Sequence, residues 1–263
     1  MSITLIVILV VTGIFVGFIN TLSAGGTVIS IALFLALGMP ASSANATNRI
    51  QVFIQSFSAT LMFKQKKLID TKKTIRLAIP TMIGALVGSI LASLITQNLF
   101  SYFMGGILLI MIVFLLYKPK ALFEDNPEKI NKPLSFINYL TFFAIGIYGG
   151  FIQVGTGYFL IAASSMMLGY DIIKTNAIKV SIMFFYTLVA MIVFFFDSQV
   201  YWAYGLLHSL GGILGSWIAT KFALKKGANF VRWVIIIVII LTALNLFGIV
   251  DLTTLFEGII SFS

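Results

Sequence analysis

The chain has 263 residues, of which 60% are hydrophobic and 10% are charged, and its formal net charge at pH 7 is +9. Soluble domains carry roughly 25% charged residues, so this composition excludes an ordinary soluble domain. The sequence contains no cysteine, which excludes disulfides, thiolate metal sites and cysteine nucleophiles. Apolar runs at residues 101–117 and 233–250 are about as long as a bilayer is thick. The chain is therefore predicted to be an all-α polytopic membrane protein.

Ten apolar segments follow one another along the chain. They are predicted at about residues 3–20, 26–38, 45–63, 77–95, 99–117, 135–152, 157–169, 175–196, 201–220 and 230–249. The second and the seventh segments have only about 13 residues, which are too few to cross the hydrocarbon core comfortably. We predict that these two are short half-helices or re-entrant segments, and the sequence leaves open whether they span or re-enter.

The two halves of the chain resemble each other. Gly26 corresponds to Gly157 and Asn45 corresponds to Asn176 at one constant offset. Chance similarity among apolar sequences is the alternative explanation. Collinear glycines and a repeated Asn-Ala pair favour an internal repeat, which is a common feature of transporter folds.

Basic residues are concentrated in three connecting segments. Residues 64–76, 118–133 and 221–232 are rich in lysine and arginine, whereas residues 96–98 and 196–201 contain neither. Because cytoplasmic loops are enriched in these residues, we predict that the first three segments are cytoplasmic and the last two lie outside. Equivalent connections of the two halves then fall on opposite faces, which predicts inverted repeats.

The predicted architecture has two inverted-topology repeats of about five membrane segments each. Residues 1–117 form the first repeat, residues 118–134 a cytoplasmic linker and residues 135–263 the second repeat. Both termini are predicted to lie outside a bacterial cytoplasmic membrane. The expected environment is the lipid bilayer, nucleic acid is not an expected partner, and the sequence leaves assembly into a homo-oligomer open.

A glycine-rich turn precedes each short segment, at residues 23–27 (SAGGT) and 154–158 (VGTGY). Glycine allows a tight turn, and a helix that starts inside the membrane directs backbone N–H groups and its positive dipole end at a ligand. Asn45 and Asn176 are predicted to cap two further helix N-termini, so that four N-termini converge on one small anion. The candidate substrate-binding residues are Ser23, Gly25, Gly26, Thr27, Asn45, Asn48, Arg49, Gln153, Gly155, Thr156, Gly157, Asn176 and Lys179.

Four polar residues in the membrane segments have two interpretations each. Arg49 and Lys179 either supply positive charge to the anion or extend toward the lipid headgroups. Charged residues are rare in membrane segments, which favours a function for both. Gln51 and Gln55 share a helix face with Asn48 and either line a path or bridge neighbouring helices.

Other small or polar residues have simpler explanations. The pairs Gly84 with Gly88 and Gly211 with Gly215 are predicted to bring membrane helices into close contact. His208 is the only histidine of the chain, and we expect it to hydrogen-bond a neighbouring carbonyl rather than to couple proton movement.

Enzymatic signatures are missing from the sequence. It has no HExxH motif, no acidic pair within a membrane segment and no phosphate-binding loop that ends in Gly-Lys-Ser or Gly-Lys-Thr. We therefore expect a protein that is not an enzyme and that has no catalytic residues, no metal and no cofactor.

Around its two glycine-rich turns and the polar residues that follow them, the chain resembles the sulfite exporter TauE/SafE family, also called the toluene sulfonate uptake permeases. The stretch GFINTLSAGGTVISIALFLALGMPASSANATNR (17–49) resembles the family's early glycine-rich element. The stretch GIYGGFIQVGTGYFLIAASSMMLGYDIIKTNAIK (146–179) resembles its degenerate second copy. The resemblance spans about residues 5 to 250, although Gly-Thr-Gly stands in the second turn where the family pattern has a glycine triplet.

The resemblance implies transport of a sulfur-containing anion such as sulfite, thiosulfate or an organosulfonate such as sulfoacetate, with export as the direction typical of the family. The resemblance, together with the glycine-rich turns and the predicted inverted repeats, leads us to expect a secondary transporter. It would work by alternating access around an anion site at the membrane midplane. The alternatives are a carrier or channel for another small anion, such as a carboxylate, and a membrane scaffold that transports nothing.

Overall fold

The computed structural model describes residues 1–22, 24–116, 126–197, 200–222 and 240–251, and all regular secondary structure in these ranges is helical. The helices are α1 (Ile3–Leu22), α2 (Gly26–Ala36), α3 (Ala41–Gln65), α4 (Thr71–Ser93), α5 (Gln97–Leu116), α6 (Pro127–Asn131), α7 (Phe136–Phe151), α8 (Thr156–Leu168), α9 (Ile172–Asp197) and α10 (Trp202–Phe222). Residues 240–246 are helical as well.

Two of the apolar helices are as short as the sequence predicts. Helix α2 has 11 residues and helix α8 has 13, so they are only about 17 and 20 Å long. By contrast, α1, α4 and residues 172–196 of α9 are long and apolar enough to cross a membrane. The predictions of an all-helical membrane protein and of short second segments are confirmed.

Several predicted boundaries differ from the structure, and the largest shift is at α4, which begins at Thr71 rather than at about residue 77. Helix α3 begins at Ala41, directly after Pro40, and α9 begins at Ile172, directly after Asp171. Both helices therefore start before the predicted segments. The linker carries the short helix α6, and most of the tenth predicted segment (230–249) lies outside the described residues.

Hydrogen bonds bring the basic connecting segments together at one end of the helix bundle. Lys66 Nζ donates to the Thr220 carbonyl (2.6 Å), and Lys73 Nζ donates to the Lys132 carbonyl (3.1 Å). Within the described residues, the segments predicted to share one face do so. We call this the basic end, and it comprises residues 64–76, 126–133 and 220–222.

The connections predicted on the other face meet at the opposite end of the bundle. The side chain of Ser42, near the start of α3, is hydrogen-bonded to Gln97 at the start of α5. The backbone N–H of Tyr201 donates to Thr47 Oγ1 (3.1 Å) just before α10. Helices α3 and α10 therefore run toward the basic end, whereas α4 and α9 start there and run away from it.

Glycines allow two helix pairs to pack very closely. A Cβ atom at Gly84 or Gly88 would collide with backbone carbonyls of α7, and one at Gly211 or Gly215 would collide with backbone carbonyls of α1. The predicted small-residue packing is thus confirmed. The register of these contacts makes α1 parallel to α10 and α4 parallel to α7, and these are the most extensive helix contacts among the described residues.

Helices α3 and α9 occupy the centre of the bundle. They contact each other, and α3 also packs on α10 while α9 packs on α4. The short helix α2 contacts α1 and α3, and the short helix α8 contacts α7 and α9. The turns that start α2 and α8 are therefore held beside the central pair.

Candidate functional site

Each short helix begins at a glycine with a left-handed backbone. Gly25, the N-cap of α2, has a φ of 97°, and Gly155, the N-cap of α8, has a φ of 77°. A positive φ is costly for residues with a Cβ atom, so these two positions favour glycine. Neither cap makes a side-chain hydrogen bond. The first N–H groups of both helices therefore need other partners.

The two turns contact each other. The hydroxyl of Tyr158, in the first turn of α8, donates to the Ala24 carbonyl (2.7 Å) just before α2. A Cβ atom on Gly157 would lie 2.9 Å from the Cβ atom of Ala24. No described residue accepts a hydrogen bond from the backbone N–H of Gly26 or Gly157. The N-termini of α2 and α8 thus lie together and present backbone donors to the space between them.

A small cavity lies where the turns meet. Its volume is about 10 Å³, which is close to the room that one water molecule needs. An anion of four heavy atoms would fit only after the helices around the cavity move apart. The cavity is lined by Asn20, Ala24, Gly25, Thr27, Gln153, Gly155, Gly157 and Met183.

Asn20 and Gln153 bring neutral amides to this cavity, one from the last turn of α1 and one from just after α7. The side-chain oxygen of Asn20 accepts from the backbone N–H of Thr27 (3.2 Å) and so caps α2 from a distance. Gln153 Nε2 donates to Thr187 Oγ1 (3.2 Å), and Asn48 Nδ2 lies 3.5 Å from Gln153 Oε1. Both amides are buried and anchored by polar partners.

The two glutamines of α3 connect this helix to α1. Gln51 Nε2 donates to Gln55 Oε1 (2.9 Å), and Asn20 Nδ2 reaches the same oxygen at 3.5 Å. Gln55 Nε2 in turn reaches Thr21 Oγ1 at 3.4 Å. These contacts match the helix-bridging interpretation of the two glutamines.

Arg49 is completely buried and caps the carbonyl end of α7. Its Nη1 and Nη2 atoms donate to the carbonyls of Gly149 (3.2 Å) and Gly150 (2.7 Å). The guanidinium carbon also lies 4.5 Å from the centre of the Phe194 ring. A side chain with no exposed surface does not extend to the headgroups, so the snorkelling interpretation of Arg49 is wrong.

Lys179 holds the carbonyl end of α1 in the same way. Its Nζ donates to the Asn20 carbonyl (2.7 Å) and to Asn176 Oδ1 (2.8 Å). Asn176 Nδ2 donates to the Leu22 carbonyl (2.9 Å), the last residue of α1. Lys179 is also completely buried, so it does not extend to the headgroups either.

The capping is reciprocal between the two halves. Asn45 Nδ2 lies 3.5 Å from the carbonyl of Phe151, the last residue of α7, so Asn45 and Arg49 of α3 hold α7. Asn176 and Lys179 of α9 hold α1. The last carbonyls of a helix lack partners within the helix and carry partial negative charge, so amide and cationic donors suit them.

The predicted N-cap role of Asn45 and Asn176 is wrong. Both residues lie inside their helices, because the helices begin earlier, after Pro40 and Asp171. Asp171 Oδ1 accepts from the backbone N–H of Lys174 (2.8 Å) and is the better cap. The predicted convergence of four helix N-termini is also wrong, since α3 and α9 start at opposite ends of the bundle. Of these four helices, α2 and α8 bring their N-termini together.

The structure places some of the predicted site residues at or next to the cavity and others at helix ends. Gly25, Thr27, Gln153, Gly155 and Gly157 line the cavity. Gly26 and Thr156 are the first residues of α2 and α8, and Asn48 contacts Gln153. The remaining described residues cap helix ends: Asn45, Arg49, Asn176 and Lys179. Ser23 lies outside the described residues.

Five residues at or near this site were not predicted from the sequence, and one of them is Ala24 within the first glycine-rich turn. Asn20 was detectable as an isolated amide at the end of an apolar segment. Tyr158 and Met183 had no distinguishing signal, because tyrosine and methionine are common in apolar helices. Tyr186, a fully buried tyrosine of α9 next to Gln153, had none either.

His208 forms hydrogen bonds between helices of the bundle. Its Nδ1 atom lies 2.8 Å from the Leu9 carbonyl, and its Nε2 atom lies 2.9 Å from Ser30 Oγ. The geometry suits a neutral imidazole that donates to the carbonyl and accepts from the serine. The expected hydrogen bond to a neighbouring carbonyl is confirmed.

Comparison with known families identifies the chain. The pattern described as "Sulfite exporter TauE/SafE" matches residues 9–246, which is nearly the whole chain. The protein belongs to the TauE/SafE family. It is accordingly a membrane transporter with several membrane segments, and no solved structure matches it.

Relatives of the TauE/SafE chain are similar along most of its length. A "probable membrane transporter protein ORF9" of a Sinorhizobium species is 28% identical over 243 residues, covering 92% of both chains. A "probable membrane transporter protein" of Haemophilus influenzae is 28% identical over 236 residues, covering 90% of this chain and 92% of the relative. "Probable membrane transporter protein YfcA" of Escherichia coli K12 is 26% identical over 226 residues, covering 84% and 82%.

Proposed function

We propose that this TauE/SafE protein is a secondary transporter, and most simply an exporter, of a small sulfur-containing anion such as sulfite, thiosulfate or sulfoacetate. The family description supports a sulfur anion, whereas the names of the relatives say only that they are probable membrane transporters. The chemistry of the cavity supports a small anion.

The observation that carries the proposal is the meeting of two helix N-termini inside the bundle. Backbone N–H groups and the positive ends of helix dipoles bind an anion without placing an ammonium group in direct contact with it. The N–H groups of Gly26 and Gly157 have no protein acceptor among the described residues. Beside them, Thr27 and Gln153 supply further neutral polar groups, whereas the Thr156 hydroxyl already donates to the Gln153 carbonyl (3.0 Å).

The packing supports an arrangement of α1–α5 and α7–α10 as inverted repeats. The contact of α1 with α10 has its equivalent in that of α7 with α4, and the contact of α3 with α10 has its equivalent in that of α9 with α4. Helices α1 and α3 run toward the basic end, whereas α7 and α9 run away from it. A two-fold axis between α3 and α9 would exchange these helices and pass close to the two turns. Repeats related in this way can open a central site to each side in turn.

Arg49 and Lys179 have a double role in this proposal. Their hydrogen bonds hold the carbonyl ends of α7 and α1 in the closed arrangement, and their charge raises the potential at the neighbouring turns. Lys179 is close enough for this, because its Cδ atom lies 3.5 Å from the position of a Cβ atom on Gly157. Opening the cavity to one side would require one of the two caps to loosen.

The sign of the membrane potential supports export of an anion. The basic end is assigned to the cytoplasm because cytoplasmic connections are enriched in lysine and arginine. A membrane potential that is negative inside drives an anion outward by about 2.3 kcal/mol per charge at 100 mV. An exporter of this kind needs no coupling ion.

Flux in liposomes tests the proposal. Purified protein is reconstituted into vesicles loaded with radiolabelled sulfite, thiosulfate, sulfoacetate or acetate, and efflux is measured over a range of concentrations. We expect saturable efflux of at least one sulfur anion, together with counterflow, which a carrier shows and a channel does not. Gly106→Ala is the control, since a Cβ atom at Gly106 of α5 would meet nothing within 4 Å.

Each other outcome identifies an alternative. Saturable flux of acetate alone would replace the sulfur anion by a carboxylate. Flux of a sulfur anion without counterflow would indicate a channel. No flux of any anion would contradict a transport role and favour a scaffold.

A further inference from the structure

Two buried hydrogen-bond donors near the end of α7 lack acceptors among the described residues. The Nε–H group of Arg49 and the hydroxyl of Tyr186 have no hydrogen-bond partner among the described residues, although both side chains are fully buried. Buried polar groups are nearly always paired, and within a membrane no water from the bilayer core can replace a missing partner. Two such groups close together require an explanation.

Both donors lie around Gly149, near the end of α7. Arg49 Nη1 donates to the Gly149 carbonyl at 3.2 Å. A Cβ atom on Gly149 would lie 3.2 Å from Cε2 of the Tyr186 ring and 3.1 Å from Thr156 Oγ1. Thr156 is the first residue of α8. The guanidinium of Arg49, the ring of Tyr186 and the N-terminus of α8 therefore meet around Gly149, and the Tyr186 hydroxyl is close to Thr156 and Arg49.

Tyr186 connects this place to the cavity. Its hydroxyl lies beside Gln153, Thr156 and Thr187 without forming a hydrogen bond of good geometry to any of them. Gln153 lines the cavity, and so does Met183, which precedes Tyr186 by about one turn of α9. A small widening between α8 and α9 would open the cavity to the hydroxyl.

We propose that Tyr186 is an anion-binding residue, whose hydroxyl donates to the bound oxyanion together with the Nε–H group of Arg49 and the N-terminus of α8. All of these groups donate, and none of the buried polar residues that the structure describes is an aspartate or glutamate. The donor set therefore suits an oxyanion and disfavours a cation. The identity of the anion as the transported substrate rests on the proposed function, whereas the binding does not.

The test compares Tyr186→Phe with Tyr170→Phe. Tyr170 is a matched control, because its hydroxyl donates to Asp70 Oδ2 (2.7 Å) at the basic end, far from the cavity. Sulfite binding to the purified protein is measured by calorimetry, and thermal unfolding is measured without anion. We expect Tyr186→Phe to bind sulfite about ten- to a hundredfold more weakly, as the loss of a hydrogen bond to a charged group implies.

Thermal unfolding separates an anion-binding role from a structural one. Removal of an unpaired buried hydroxyl should leave the anion-free Tyr186→Phe protein at least as stable as the wild type. Tyr170→Phe loses a real hydrogen bond, so it should melt at a lower temperature while binding sulfite normally. A Tyr186→Phe protein that melts as low as Tyr170→Phe would show that the hydroxyl has a protein partner, which would overturn the inference.

The binding results distinguish the role of Tyr186 from the proposed transport function. Unchanged sulfite affinity in Tyr186→Phe overturns the role of Tyr186 and leaves the proposed transport intact. A third result is possible, in which Tyr186→Phe binds sulfite more weakly but the wild-type protein shows no flux in liposomes. This result supports the role of Tyr186 and contradicts transport. A wild-type protein that binds neither sulfite, thiosulfate nor sulfate overturns both.

Discussion

The carbonyl ends of α1 and α7 are capped by the same arrangement but by different chemistry. An asparagine and a cation from the central helix of one half hold the first helix of the other half. At α7, Arg49 contacts two carbonyls and packs under the Phe194 ring. At α1, the contacts of Lys179 include the Asn20 carbonyl and the side chain of Asn176.

The difference indicates that the two caps have unequal strength. A planar guanidinium holds two acceptors in a fixed geometry, whereas a lysine ammonium is a compact charge on a flexible stem. From this chemistry we expect the cap at the α1 end to release more easily than the cap at the α7 end. If the cavity opens by loosening one cap at a time, the two opening steps should differ in their energy.

The largest effect is expected for Arg49→Ala. The substitution leaves the carbonyls of Gly149 and Gly150 without donors, and each unsatisfied buried group costs about 1–3 kcal/mol. Flux should be lost, and the melting temperature in detergent should fall further than for any other substitution described below. Arg49→Lys should restore stability only in part. An Arg49→Ala protein that melts like the wild type would contradict the strong cap at α7.

A smaller effect is expected for Lys179→Met, which keeps the stem of the side chain and removes its charge. It removes the donor to the Asn20 carbonyl and to Asn176 Oδ1, so the free energy of unfolding should fall by about 1–3 kcal/mol. The comparison of the two caps requires this loss to be smaller than that of Arg49→Ala in the same thermal unfolding assay. Equal losses would mean that the caps do not differ in strength.

The two close helix crossings should respond alike to added bulk. Gly88→Ala places a methyl group against the Ile147 carbonyl, and Gly215→Ala places one against the Ile14 carbonyl. Such overpacking costs about 1–3 kcal/mol, and we expect similar losses of stability at both sites. Gly106→Ala, which meets no neighbour, should leave stability unchanged or slightly raised. Normal stability of Gly88→Ala together with reduced stability of Gly215→Ala would contradict the equivalence of the two halves.

The smallest effect on stability, but a clear one on transport, is expected for Gly157→Ala. The new methyl group would contact the Ala24 side chain in the other turn, at 2.9 Å from its Cβ atom. The nearest backbone atom, Ala24 Cα, lies 3.7 Å away, so the backbone does not collide with the methyl group. At the equivalent Gly26, a methyl group would instead meet the Val16 carbonyl at 2.7 Å. Gly157→Ala should therefore reduce sulfite flux with a nearly normal melting temperature, whereas Gly26→Ala should lower both. Normal flux in Gly157→Ala would argue against a site between the turns.

The elements of the fold were predictable, because length, hydropathy and glycine carry that information locally. The short helices α2 and α8, their glycine turns and the packing glycines all follow from such signals. The starts of α3 and α9 were missed for a local reason. Pro40 and Asp171 are stronger start signals than the asparagines that follow, and the helices extend back to them.

The partners of the charged residues were not predictable in the same way. Arg49 and Lys179 are visible in the sequence as unusual charges, but their acceptors are carbonyls about 100 and 159 residues away. Backbone carbonyls have no sequence signature, so only the tertiary packing identifies them. The unpaired hydroxyl of Tyr186 depends likewise on the contact between α7, α8 and α9.

The most direct test of an anion site between the turns uses the natural absence of cysteine from the chain. Ala24→Cys places a thiol in the cavity, and Ala190→Cys places one on α9, fully buried but outside the cavity lining. A sulfonate-bearing methanethiosulfonate reagent is added to either side of reconstituted vesicles. We expect it to modify Ala24→Cys from both sides, at a rate that sulfite lowers, and to leave Ala190→Cys unmodified. Modification of Ala24→Cys that sulfite does not slow, or no modification from either side, would contradict an alternately accessible anion site at the meeting point of α2 and α8.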